Sequence, residues 1–164
     1  MRLVLMRHGE AAFGADSDVS RALTDRGHKQ AKATARQLTK WVTENTQVLF
    51  SPYLRTTETA NNVLEVLKQE TSFSNIKGHA EPILKAGTDF QKIAAWLQEV
   101  ESEDLIIISH NPMMTELTNV LVYGQQVIHQ PLPLVFDTGY ACCLDGEYPT
   151  AGCMDLIRRI IPDC

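Results

Sequence analysis

The sequence predicts an α/β fold, a three-layer doubly wound and mostly parallel sheet with helices on both faces. Three observations carry that prediction. Short apolar runs alternate with longer stretches whose apolar residues recur at helical spacing. One run, "DLIIIS" (104–109), is continuously apolar, as strands covered on both faces of a parallel sheet are. With 164 residues the chain can bury a sizeable core, so residues 1–164 are read as a single domain.

Residues 2–7, "RLVLMR", form the first buried strand. A polar loop containing "GADSDVSR" leads to a helix from about Asp25 to Glu44. Thr24 is its N-cap and Asp25 suits the first turn; Gly27 at the third helical position leaves no capping box. Ala31, Ala35, Leu38 and Val42 give this helix one apolar stripe. "QVLF" (47–50) is the second strand, and Ser51-Pro52 opens the next helix, Ser as cap and Pro at the first helical position. Tyr53, Ala60, Leu64 and Leu67 carry its stripe to about residue 69. A weak strand near 76–81 and a helix near 89–100 precede the strand at 104–109. Asn111-Pro112 then starts a helix to about Val122, with Met113 and Met114 packing into the core. "GYACCLD" and "AGCMDLIRR" read as a closing hairpin around "GEYPT".

Composition narrows the function. Apolar residues at 44% and charged residues at 21% are ordinary for a soluble globular protein. A net charge of −5 argues against nucleic acid as a partner, while leaving room for a local cluster of Arg around an anion. No stretch approaches membrane-span length, and four apolar residues after Met1-Arg2 are too few for a secretory core, so a cytoplasmic location is expected. Cys142, Cys143, Cys153 and Cys164 lack zinc spacing, and strand neighbours such as Cys142 and Cys143 point to opposite faces. They are read as buried or idle thiols; neither metal nor cofactor is expected.

Three strands end in polar signals: Arg7-His8-Gly9, Ser51-Pro52 with Arg55 just beyond, and Ser109-His110-Asn111-Pro112. If the strands are parallel, all three lie on the edge where such folds bind ligands. Arg55, early in a helix, is disfavoured by the positive end of the dipole by about 0.3–1 kcal/mol, and a bound anion reverses that sign. Two Arg, two His and helix amides around one crevice describe a pocket for a phosphoryl group. Neighbouring cations keep His8 neutral, as a nucleophile requires, and Gly9 lets backbone and phosphate approach closely. His8 would then carry the phosphoryl group until water removes it, with His110 stabilising the equatorial oxygens.

The chain resembles the histidine phosphatase superfamily, the phosphoglycerate mutase-like proteins. "LMRHGEA", "LTDRGHKQA", "LFSPYLRTTETA" and "IIISHNP" match its segments in order, from residue 3 to about 115. The resemblance makes His8 the phosphorylated histidine, Arg55 a phosphate-binding Arg and His110 the second catalytic histidine, and the residue reading sets Arg7 beside them as a further catalytic residue. Its short length and the approach "SDVSRALT" are most similar to the SixA-type phosphohistidine phosphatases, which makes Arg21 a third cation at the rim.

Larger relatives that cleave phosphate esters use an acid, often on an inserted helical segment, and this chain has no room for a large insertion. Asp16, Asp18, Glu81 and Asp89 are the carboxylates weighed for that role, each read first as a solvated loop residue. An alkoxide leaving group needs an acid more than a phosphorylated imidazole does. The expected activity is therefore removal of phosphate from histidine on a phosphotransfer domain or phosphocarrier protein. A small-molecule phosphomonoesterase and a catalytically idle phosphoprotein-binding module stay open beside it. His28 is read as a surface residue, His79 and His129 are given no role, and the loop 126–139 is positioned to line the mouth.

Overall fold

The computed structural model describes residues 1–163. Ten regular elements follow one another: β1 Arg2–Arg7, α1 Asp25–Leu38, β2 Gln47–Phe50, α2 Leu54–Glu70, β3 Lys77–Ala80, α3 Phe90–Leu97, β4 Asp104–Ser109, α4 Met113–Tyr123, β5 Ala141–Asp145 and β6 Asp155–Ile160. Short 3-10 turns at Pro82–Leu84 and Gln125–His129 complete the path. One six-stranded sheet runs β3-β2-β4-β1-β5-β6. The first four strands in that order are parallel, β5 pairs antiparallel with β1, and β6 pairs antiparallel with β5.

Strand alternation splits the core into two layers. Leu3 and Leu5 of β1 and Leu105 and Ile107 of β4 face α3 and α4, where they meet Ile93, Met114, Leu117 and Leu121. Val4, Met6, Ile106 and Ile108 face α1 and α2, against Ala35, Leu38, Val63 and Leu67. Each large apolar side chain removed from water contributes about 1.5–3 kcal/mol before entropy is charged against it. Cys142 and Cys143 fall in opposite layers, and burial pushes their thiols up to about 11 and about 12. Cys164, read with them as an idle thiol, lies outside the described residues.

Two boundaries differ from the sequence reading. α1 stops at Leu38, not near Glu44, because Thr39 turns its hydroxyl back onto the Arg36 carbonyl at 2.7 Å. Val42 still reaches the core by a turn whose amide donates to the Leu38 carbonyl at 3.1 Å. α2 begins at Leu54 with Tyr53 as its cap residue and no side-chain cap. Ser51 is not that cap, since its hydroxyl is engaged by His110.

Strand register decides which side chains share an edge of the sheet. Arg7 pairs with Ser109 across β1 and β4, and Phe50 pairs with Ile108 across β2 and β4. The next residues, His8, His110 and Ser51, therefore leave the sheet together at its carboxyl edge. No helix among the described residues is long and apolar enough to cross a membrane.

Candidate active site

A cavity of about 810 Å³ opens at this edge, and Arg7, His8, Arg21, Arg55 and His110 all line it. β1 delivers Arg7 and His8, β4 delivers His110, and the first turn of α2 delivers Arg55. Arg21 comes from the excursion between β1 and α1, which an Ala11–Leu23 bridge closes at its base.

The His8 ring is oriented by its own neighbour. Its Nδ1 lies 2.7 Å from the Gly9 carbonyl oxygen, and a carbonyl can only accept, so Nδ1 carries the proton. Nε2 is then the lone-pair nitrogen, and Arg55 Nε donates to it at 3.3 Å. Burial is the largest reason the ring is pushed down to about 4; the Gly9 contact opposes this, and Arg55, Arg7 and Arg21 add to it. His110 is pushed down to about 3 by burial first, then by His8 and Arg55. Both rings are neutral at pH 7, packed edge to face with centroids 5.2 Å apart. His110 Nε2 is 2.8 Å from Ser51 Oγ, while its Nδ1 is buried without a hydrogen-bond partner.

Arg7 donates from Nη1 to the Phe136 carbonyl at 3.0 Å, and its buried Nε has no partner. The carbonyl belongs to the loop 126–139, whose Thr138 also lines the cavity, so this loop does border the mouth. Burial lowers the Arg7 pKa, Asp137 offsets part of that, and Arg55 adds to it; the guanidinium stays charged. A buried Arg55, a half-buried Arg7 and two neutral imidazoles facing one cavity form an anion site with a nucleophile beside it.

The comparisons with known proteins place the chain in a family. The family model described as "Histidine phosphatase superfamily (branch 1)" matches residues 3–76, from β1 past the end of α2. The chain is 33% identical to phosphohistidine phosphatase SixA of Escherichia coli over 130 residues, 76% of each chain. The chain belongs to the histidine phosphatase superfamily. A SixA homolog from Haemophilus influenzae is 31% identical over 138 residues, covering 77% of this chain and 79% of the relative. The solved structure of the protein histidine phosphatase SixA complexed with tungstate superposes with a TM-score of 0.80 at 27% identity, covering 99% of this chain and 97% of that one.

Gly9 has a different task from the close approach of backbone and phosphate expected of it. It does not line the cavity, and its amide donates to Thr59 Oγ1 at 3.1 Å. A Cβ there would strike the Gly27 backbone, so the glycine allows β1's exit and the start of α1 to touch. Thr59 in turn donates to the Arg55 carbonyl at 2.7 Å, tying the His8 loop to the Arg55 turn.

Of the four carboxylates weighed as acids, none is poised to protonate a leaving group. Asp89 caps α3 by accepting from the Gln91 amide at 2.8 Å. Glu81 pairs with His79 at 2.9 Å, and Asp16 is exposed on the loop. Asp18 lines the cavity, but it accepts from Arg55 Nη2 at 3.1 Å and Arg21 Nη1 at 3.2 Å. Partial burial works to raise its pKa, and those two hydrogen bonds outweigh it, so Asp18 stays ionised.

Sequence reasoning missed three participants: Ser51 behind His110, Thr59 behind Arg55, and Glu10 on the cavity wall. Glu10 accepts from Thr24 Oγ1 at 2.8 Å and pairs with Arg26 at 3.1 Å. Ser51 and Thr59 lie in the segment "SPYLRTTETA", the only signal that pointed to them. His28 is half-buried, with its Nδ1 2.9 Å from Asn62 Nδ2. Among the described residues, no group of three or more His, Cys, Asp or Glu side chains is placed to hold a metal ion.

Proposed function

We propose that this chain is a phosphohistidine phosphatase, taking the phosphoryl group from a histidine on a cytoplasmic phosphotransfer domain or phosphocarrier protein. The observation that carries the reading is the His8 imidazole, its Nδ1–H donated to the Gly9 carbonyl and its Nε2 facing Arg55.

His8 Nε2 attacks phosphorus, forming a new P–N bond as the substrate's P–N bond breaks. The departing imidazole takes the bonding electrons and, with its other nitrogen already protonated, leaves as a neutral ring. One P–N bond replaces another of the same kind, so the transfer is close to balanced and needs no strong acid. The carboxylates on the cavity wall match that chemistry, since Asp18 and Glu10 are both committed to arginines.

Hydrolysis repeats the logic. Phospho-His8 keeps its proton on Nδ1, donated to the Gly9 carbonyl, so the ring is cationic and departs as neutral imidazole when water attacks. Both of water's protons end on the released phosphate, which leaves as dihydrogen phosphate. Arg7 and Arg55 neutralise the non-bridging oxygens, and the unpartnered His110 Nδ1 is a donor for one of them when Nε2 accepts the Ser51 hydroxyl hydrogen bond and the ring proton sits on Nδ1.

The test is to mix a phosphohistidine-bearing protein with this chain and follow phosphate release, with rapid-quench trapping of an acid-labile, base-stable phosphoryl group on His8. Release and trapping are expected for the native chain and not for His8→Ala. Equal release by His8→Ala would remove the mechanism. Faster turnover of a sugar phosphate than of the phosphoprotein would reassign the substrate.

A further inference from the structure

Asp18 occupies an unusual place for a carboxylate in a phosphate site. Arg55 is almost fully enclosed, its side chain 5% exposed, and its three nitrogens are all engaged. Nε points at His8, Nη1 donates to the Asp18 backbone carbonyl at 2.5 Å, and Nη2 donates to Asp18 Oδ2 at 3.1 Å. The other carboxylate oxygen, Oδ1, accepts from Arg21 Nη1 at 3.2 Å. One carboxylate thus bridges two of the arginines that the phosphate reading assigns to substrate. Glu10, the other carboxylate on the wall, is turned to Arg26 and Thr24.

We infer that Asp18 is an internal counter-anion that competes with the phosphoryl group for Arg55 and Arg21, and so sets the enzyme's selectivity against small phosphoanions. This rests on the phosphohistidine phosphatase reading and names what that site discriminates. A tethered carboxylate acts at high effective concentration, whereas free phosphate must pay translational entropy to reach the same donors. The tether is short. The Ala11–Leu23 bridge closes the excursion, and the Val19 carbonyl accepts from the Leu54 amide at 3.0 Å, next to Arg55.

The Asp18 side chain is open to solvent, 55% exposed at the cavity wall, so water can take over its bonds when it is displaced. A protein-borne phosphoryl group arrives with a surface around it, and the mouth offers that surface Phe13, 92% exposed and 5.2 Å from the Arg21 guanidinium. Those added contacts offset the loss of the Asp18 bonds. Inorganic phosphate has no such contacts, so the carboxylate displaces it. The same competition clears product after each turnover.

The experiment is calorimetric titration of inorganic phosphate and of tungstate into the native chain, Asp18→Asn, Asp18→Ala, Asp16→Asn and Arg55→Ala. Asn keeps the size of the side chain and leaves the backbone carbonyl on Arg55, while Ala removes the side chain and leaves the same carbonyl. Both Asp18 variants are expected to bind phosphate about tenfold more tightly, with the product-inhibition constant falling by the same factor. Asp16→Asn removes the same charge from the same exposed loop and is expected to change phosphate affinity by less than about twofold.

Turnover of p-nitrophenyl phosphate should rise relative to that of a phosphohistidine protein in Asp18→Asn. Unchanged or weaker phosphate binding in both Asp18 variants overturns the inference and makes Asp18 a positioning residue for the arginines. Phosphate affinity that survives Arg55→Ala overturns the underlying phosphate site instead.

Discussion

Arg55 Nε donates to His8 Nε2 at 3.3 Å, so the cation that would bind phosphate holds the nitrogen that would attack it. The contact occupies the Nε2 lone pair until a phosphoryl group draws the guanidinium away, and it disfavours a proton there, which is a second route, besides burial, to a neutral nucleophile. Arg55→Lys keeps the charge but cannot place a donor on His8 while holding Asp18 with two others. A fall of about 100-fold in kcat/KM for phosphohistidine protein is expected. Phosphate-release kinetics check it, and a loss under about threefold would mean that charge alone suffices.

The paired imidazoles set an acid limit on stability. Folded His8 and His110 sit at about 4 and about 3, below the ordinary value near 6.5 of the unfolded chain. As pH falls below about 6.5 the unfolded state takes up protons that the native rings refuse, so stability declines from there toward pH 4. Above about 6.5 the two states bind these protons equally and the slope vanishes. Thermal midpoints from pH 7 to 4 should drop for the native chain and drop less for a His8→Asn/His110→Asn double variant. Saturating tungstate should reverse part of the decline, because an anion between the rings favours their charged forms.

Ser51 is the hidden partner of His110. Removing its hydroxyl frees the ring to rotate and leaves Nε2 buried without its 2.8 Å contact. Ser51→Ala should lower kcat roughly tenfold with KM nearly unchanged, since orientation and not ground-state binding is lost. The same variant should lose about 1–3 kcal/mol of stability, the cost of stranding a buried polar atom. Steady-state kinetics paired with urea denaturation separate the two effects. A change confined to KM would place Ser51 in substrate binding.

Much of this site was readable in the chain because the informative residues stand at strand ends. A buried apolar run that stops in Arg-His or Ser-His announces itself, and parallel register brings those ends to one edge. What stayed hidden depends on long-range closure. Asp18 meets Arg55 across 37 positions through a loop with no apolar pattern, so nothing local marks it as more than a solvated carboxylate. Ser51-Pro52 satisfies the local rule for a helix start, yet a hydroxyl has a limited set of bonds, and His110 takes it. Gly9 shows a third kind of gap: the requirement for glycine was legible, but the partner crowding it was not.

That crowding supplies the sharpest stability prediction. Gly9 and Gly27 are fitted against each other: a Cβ on Gly9 meets the Gly27 carbonyl, and a Cβ on Gly27 meets the Glu10 carbonyl. The obstruction is backbone on both sides, so no side chain can swing aside to relieve it. Gly9→Ala or Gly27→Ala should therefore cost about 1–3 kcal/mol as α1 is pushed from the end of β1. The shift also drags on the Gly9 amide and its Thr59 bond, and through Thr59 on the Arg55 turn. Activity should fall more than the fraction folded, and the pH profile should move as Arg55 leaves His8. Gly14→Ala, on the open excursion with nothing near its Cβ direction, carries only the strain of its φ of 85°. It should destabilise by about 1 kcal/mol with turnover per folded molecule preserved. Denaturant midpoints and phosphate release measured on the same preparations decide the matter: equal loss of activity per folded molecule in Gly9→Ala and Gly14→Ala would mean that the β1–α1 contact does not position the site.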